Sequence, residues 1–226
     1  MSVPAISVFQ AACEEIPLHN VLRYLGCRED PAPPQILQLA EHAVHAVQQA
    51  AVCRCCWRRV TVTHQSDTEL LLDALPVRSR HLSINLDGCD AAFLFGATIG
   101  VGPERLIAAG RRLSAADALA ADAAGSAAIE HWCDQINQML AKTARKEGHY
   151  LRPRFSAGYG DFSITAQQAL VSMLDMPRKI GVTLTSGMML LPTKSVTAIV
   201  GISDTPVNCA HTSCENCQMQ SCPYRA

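Results

Sequence analysis

The sequence predicts a mixed α and β fold, and three observations carry that prediction. Residues 103–146 are alanine-rich, with Leu106, Ile107, Leu113, Leu119, Ile129, Trp132, Ile136 and Leu140 among them. That composition gives high helix propensity and a wide apolar stripe. Residues 91–95 are continuously apolar, as in a strand covered on both faces. Residues 152–202 join a glycine-bearing loop to a helix and two strand-like runs. The pattern alone fixes helices among short strands and no particular topology.

The 226 residues suit one large domain, or a domain with a small appendage, and are enough to bury a core without staples. With 49% hydrophobic and 17% charged residues and a net charge of -1, the composition is that of an ordinary globular chain. A basic footprint is missing, which argues against nucleic acid as a partner. Neither a stretch of membrane-spanning length nor a positively charged leader is visible, so the expectation is no membrane and a cytoplasmic location. Eleven cysteines are many for such a chain. In a reducing cytosol a clustered subset reads first as a metal site.

In chain order, residues 6–26 contain the helical pattern His19-Asn-Val-Leu-Arg-Tyr-Leu-Gly26, with Gly26 as C-cap. A charged, proline-rich connector over 28–34 leads to an amphipathic helix over 35–51. Cys53, Cys55 and Cys56 fall in the expected helix-to-strand turn, before a strand over 58–64. Neighbours so close in sequence do not easily face one ion, so they read as core or semi-exposed thiols. Short apolar runs follow at 70–75 and 81–86, then the strongest strand pattern, 89–100, ending in Gly96-Ala-Thr-Ile-Gly100. The P-loop lysine is absent there, and the glycines read as room for a helix to pack closely on a sheet. Ser114 is the expected N-cap of a second, longer helix, on which Gly125 and Ser126 would admit another element closely.

The central stretch opens with Arg154-Phe-Ser156-Ala-Gly158-Tyr159. Arginine offers a planar fork that fits a carboxylate, glycine a turn without a side chain, and tyrosine an aromatic face with a polar tip. A helix is expected from Ser163 to just before Pro177, then strands at Ile180–Leu184 and Ser195–Ile202. The tail carries Cys209, Cys214, Cys217 and Cys222 in the pattern C-x4-C-x2-C-x4-C. Four thiolates suffice for an iron–sulfur cluster or, alternatively, tetrahedral zinc. G-x-S-x-G, H-E-x-x-H and P-loop patterns are absent.

Residues 89–202 resemble the reactivation domain of cobalamin-dependent methionine synthase, whose S-adenosylmethionine site is marked by R-x-x-x-G-Y-x-x-C-P. Arg154, Gly158 and Tyr159 match that motif, and Phe162-Ser163 stand in place of Cys-Pro. Lys179-Ile-Gly-Val-Thr-Leu-Thr185, Pro192-Thr-Lys-Ser-Val-Thr197 and Thr98-Ile-Gly100 are also similar to the family. The resemblance implies an α+β fold, with helices packed on a mainly antiparallel, curved sheet. Residues 1–205 would form that domain and 206–226 a metal-binding tail. It further implies S-adenosylmethionine bound by Glu130, Arg154, Ser156, Gly158 and Tyr159, with Tyr159 facing the corrinoid as the residue that shapes methyl transfer. Cobalamin would be carried by the partner, a methionine synthase lacking its own activation domain. The electron would come from flavodoxin or ferredoxin, or enter through a cluster in the tail. Two alternatives stay open: a docking module with a structural zinc tail, and a reactivator of another corrinoid methyltransferase.

Overall fold

The computed structural model describes residues 5–29 and 31–206. Its elements are strand β1 (Ser7–Ala12), helices α1 (Leu18–Tyr24) and α2 (Pro34–Ala50), strands β2 (Val52–His64), β3 (Glu69–Leu72) and β4 (Leu75–Arg78), and helix α3 (Arg80–Asn85). Strand β5 (Ala91–Thr98), helices α4 (Gly102–Leu113) and α5 (Ala115–Lys146) and strand β6 (Tyr150–Leu151) follow. A 3-10 turn (Ile164–Ala166), helices α6 (Gln167–Met173) and α7 (Met176–Ile180), and strands β7 (Thr183–Leu184), β8 (Leu190–Leu191) and β9 (Ser195–Ser203) complete the order.

Seven strands form one sheet in the order β4-β3-β2-β5-β9-β6, with β1 also paired to β2. Every pairing is antiparallel, as is that of the separate β7-β8 pair. Strand β2 is 13 residues long, so it carries β1 against 52–57 and β3 against 62–64. Both faces of β5 are covered. Phe93, Phe95 and Ala97 pack in one core with α1, α2 and α5, whereas Ala92 and Leu94 pack in a second with Leu82, Leu170 and Met176. The apolar run 91–95 is thus a central strand between two cores, as its continuity implies.

The long alanine-rich helix forms as expected, and Ser114 caps it by accepting the Asp117 amide at 3.2 Å. Gly96 has the anticipated use: a Cβ there would lie 2.6 Å from the Met176 side chain, so its absence lets α7 seat on the sheet. Gly125 likewise admits Lys194, whose ammonium reaches Asp122 at 2.9 Å and donates to Ser126 at 2.8 Å.

One strand was not anticipated, and three local expectations are corrected. The segment 7–12 is an edge strand, although Ser-Val-Phe-Gln-Ala-Ala has no clean alternation to announce one. The strand after α2 begins at Val52, so Cys53, Cys55 and Cys56 lie within it, 3%, 0% and 0% exposed, rather than in a turn. The helix after Ser163 breaks at Leu174-Asp175, where Asp175 adopts φ 48°. Pro177 sits in the first turn of α7, where a missing amide costs no intrahelical bond. Ile180 therefore ends a helix, and of the strand expected over Ile180–Leu184 only Thr183–Leu184 pairs.

Candidate functional site

The loop that leaves β6 is fastened to β9. The Arg152 amide donates to the Gly201 carbonyl at 2.8 Å, and Phe155 and Ile199 exchange backbone hydrogen bonds of 2.9 and 2.8 Å. Beyond Phe155 the loop closes on itself. The Gly158 amide donates to the Phe162 carbonyl (2.8 Å), the Tyr159 amide to Ser156 (3.2 Å), and the Phe162 amide to Tyr159 (3.0 Å). Gly158 holds φ 95°, a left-handed conformation that L side chains rarely take, so the glycine is needed for this turn.

The far end of the loop is tied to α3 by one carboxylate. Asp161 accepts from the Ser79 hydroxyl (2.6 Å) and from the Arg80 and His81 amides (2.8 and 3.1 Å). Burial pushes the Asp161 carboxyl up, but those three donors and the His81 ring together outweigh it, leaving the group below its ordinary value. Phe162 is 2% exposed and packs in the second core beside Phe155, ring centroids 6.3 Å apart. Ser163 caps the 3-10 turn by accepting the Thr165 amide at 3.3 Å.

At the near end the Arg154 side chain crosses to α5. Its Nη2 lies 2.9 Å from Asp134 Oδ1 and 3.4 Å from Glu130 Oε2. Those carboxylates stand four residues apart, on one face of the helix. Arg154 Nη1 is shielded from water and has no acceptor among the described residues. Tyr159 lies within electrostatic reach of Glu130 and Arg154, with 66% of its surface exposed. Its hydroxyl is raised above the ordinary tyrosine value, by local desolvation first and by the Glu130 charge second, with Arg154 acting in the opposite sense. Tyr24, from α1, is raised by burial and then by Glu130, while Arg23 sits 5.3 Å over its ring and pulls the other way.

Glu130, Arg154 and Tyr159 are therefore brought together from α5 and the loop. Gly158 and half-buried Ser156 shape the turn between them, the Ser156 carbonyl being taken by the Tyr159 amide. Two members went unread in the sequence. Asp134 could have been found from its spacing to Glu130, whereas nothing in the sequence links Tyr24 to a loop 130 residues away. The metal ligands expected at Cys209, Cys214, Cys217 and Cys222 lie outside the described residues. Among the described residues, no group of three His, Cys, Asp or Glu side chains is placed to hold a metal. Cys55 and Cys56 are core thiols, pushed up to about 12 chiefly by burial. No helix among the described residues is long and apolar enough to cross a membrane.

A separate cleft of about 380 Å³ opens on another face of α5, lined by Phe9, Glu14, Trp132, Gln135 and Met139 among others. Phe9 stacks on Trp132 there, centroids 6.0 Å apart. It shares no residue with the Arg154 cluster.

Residues 110–222 match the family described as vitamin B12 dependent methionine synthase, activation domain. The match spans half of the chain, and the chain belongs to that family. Among solved structures, the chain is similar to one titled "Crystal Structure of the MetH Reactivation Domain bound to AdoHcy", with a TM-score of 0.65 at 13% identity. The alignment covers 92% of this chain and 82% of that one. The likeness establishes the shared α+β fold with its antiparallel sheet. A search of curated protein sequences gives no match.

Proposed function

We propose that the protein binds S-adenosylmethionine at the Arg154 cluster and presents its methyl group to the oxidised corrinoid of a separate methionine synthase, returning that enzyme to activity. The observation that carries this reading is the convergence of Arg154, Glu130 and Tyr159 on the loop bearing the family's R-x-x-x-G-Y. A solved relative with this fold is described as bound to AdoHcy, the demethylated form of the same ligand.

The roles follow from the chemistry of each side chain. Arg154 binds the ligand's α-carboxylate through its fork of donors. Glu130 faces the ligand's cationic groups. Gly158 keeps the turn tight, Ser156 lines it with backbone polar groups, and the open Tyr159 ring lies toward the incoming corrinoid. An outside electron reduces the cobalt. Its electron pair then forms the bond to the methyl carbon, while the pair of the broken S–C bond stays on sulfur. That transfer needs in-line placement and no acid or base, so positioning supplies most of the rate effect.

The Phe162-Ser163 departure does not weaken this reading. Phe162 fills a core and Ser163 caps a turn, so both act on the loop's frame. The tail belongs to the same proposal: Cys209, Cys214, Cys217 and Cys222 would hold an iron–sulfur cluster, whose low potential would suit delivery of the electron.

Equilibrium binding of S-adenosylmethionine tests the site, followed by transfer of its labelled methyl group to the corrinoid of a methionine synthase lacking an activation domain, under reducing conditions. Binding with no transfer would favour another corrinoid client. No binding would favour the docking module. Anaerobic spectra with iron, sulfide and zinc analysis test the tail: colourless protein holding one zinc would make it structural and send the electron through flavodoxin or ferredoxin.

A further inference from the structure

Cys13 and Cys53 are free thiols in contact, the Cys53 thiol donating a hydrogen bond to the Cys13 sulfur. The backbone holds them there. Ala11 pairs with Cys53 and Ala12 with Val52, so Cys13, just past the end of β1, comes diagonally across from Cys53. One residue on, the Glu14 carbonyl accepts from Gln48 Nε2 of α2 at 3.0 Å. Cys53 is 3% exposed, in the first core with Cys55 and Cys133. Cys13 is half-buried at the edge of that core. Its neighbours Ala12 and Glu14 line the cleft of about 380 Å³, so a small solute in the cleft meets the chain on either side of Cys13. The shared hydrogen bond lowers the Cys13 thiol below its ordinary value, against burial, and raises that of Cys53, with burial adding. Cys13 is thus the readier thiolate and Cys53 the partner that keeps its proton. Cys27, also half-buried, turns instead to the Glu29 carbonyl.

We propose that Cys13 and Cys53 form a redox site, a dithiol that a hydroperoxide oxidises to a disulfide. The Cys13 sulfur attacks one oxygen of the peroxide and the O–O bond breaks. With hydrogen peroxide this leaves a sulfenic acid and a hydroxide, which takes up the proton Cys13 gave away and becomes water. The Cys53 sulfur then attacks the Cys13 sulfur, the S–O bond breaks, and a second water leaves with the Cys53 proton. Two electrons pass from the sulfurs to the peroxide. The new bond ties the end of β1 to the start of β2 and closes the segment that holds α1 and α2. Oxidation therefore fastens both helices, and a reducing dithiol frees them again.

Peptide mapping tests the site on the full chain, reduced, freed of reductant and treated with graded hydrogen peroxide. Trypsin places Cys13 and Cys53 in separate peptides, Met1–Arg23 and Glu29–Arg54, each with a single cysteine. After alkylation of the remaining thiols, a non-reducing digest should show these two peptides joined, and dithiothreitol should part them. The oxidised chain should melt about 5–10 °C higher than the reduced one. Cys13→Ser, a change at the edge of the core, should lose both the link and the rise and melt with the reduced wild type. In Cys53→Ala, Cys13 should stop at the sulfenic acid and be trapped by dimedone. Cys13 left reduced by peroxide would overturn the proposal. So would Cys13 joined to another cysteine, or carried to the sulfinic acid while Cys53 stays a free thiol.

Discussion

Arg154 and Phe162 stand eight residues apart in one loop and do opposite work. The Arg154 end is charged and open, with its guanidinium between two half-exposed carboxylates and Tyr159 turned to solvent. The Phe162 end is apolar and closed: a ring 2% exposed, a serine cap behind it, and Asp161 clamping α3. On the proposed function, binding chemistry and structural frame are thus divided along the loop. The residues that match the family's motif lie at or near the open end, and the two that depart from it lie at the closed end.

Phe162→Ala should break the frame and produce the largest effect. Removing a buried aromatic ring costs about 3–4 kcal/mol, a fall in Tm of roughly 10 °C for a chain of this size. Thermal and urea unfolding would read it. At low temperature, where the variant is still folded, its affinity for S-adenosylmethionine should stay within about threefold of wild type. Lost affinity with unchanged stability would erase the division between the two ends.

Arg154→Ala should show the reverse. Loss of a charge-assisted bond to the ligand corresponds to about 1.5–3 kcal/mol, or roughly tenfold to a hundredfold in affinity. Stability should move by less than about 1 kcal/mol, because the pairs with Glu130 and Asp134 are partly exposed. Arg154→Lys should recover little, since a lysine cannot reproduce a planar fork.

Asp161→Ala sharpens the comparison from the closed end. It removes a cap-like set of bonds to Ser79, Arg80 and His81, at a cost of about 1–2 kcal/mol. The folded Asp161 carboxyl lies below its ordinary value. Its contribution is therefore present above the unfolded value of about 3.9 and lost as pH falls through the folded one. Stability measured between pH 6 and pH 3 should fall more steeply in wild type than in Asp161→Ala.

Legibility followed the same line. Elements with sustained periodicity were readable: α2, α5, β5 and β9 all form where their apolar spacing places them. Short segments governed by tertiary pairing were not. Strand β1 exists because β2 is long enough to accept a partner along its first half, a fact about residues 52–57 rather than about residues 7–12. Pro177 reads as a stop and acts as a start, because a proline excluded from a helix interior is welcome in its first turn. At the site, Arg154, Gly158 and Tyr159 were legible because motif and chemistry coincide. Tyr24 was not, because only folding brings α1 beside Glu130.

Tyr159 carries the smallest expected effect, and it probes how the open end works. Its ring is 66% exposed, so Tyr159→Phe should leave stability near neutral pH almost unchanged. The hydroxyl is raised above its ordinary value by desolvation and by Glu130. A raised group contributes stability that is fully present below the unfolded value of about 10 and lost as pH rises through the folded value. Tyr159→Phe should therefore lose less stability than wild type above about pH 10. If the aromatic face shapes the transfer gap, the phenylalanine variant should keep methyl transfer within about threefold of wild type. Its pH profile between 7 and 9 should be unaltered, because the hydroxyl stays neutral there. Tyr159→Ala should transfer far more slowly with little change in ligand affinity, as placement without the ring loses the geometry on which the rate depends. A phenylalanine variant as slow as the alanine one would move the role from the ring to the hydroxyl, and the open end would then be a hydrogen-bonding surface more than a stacking one.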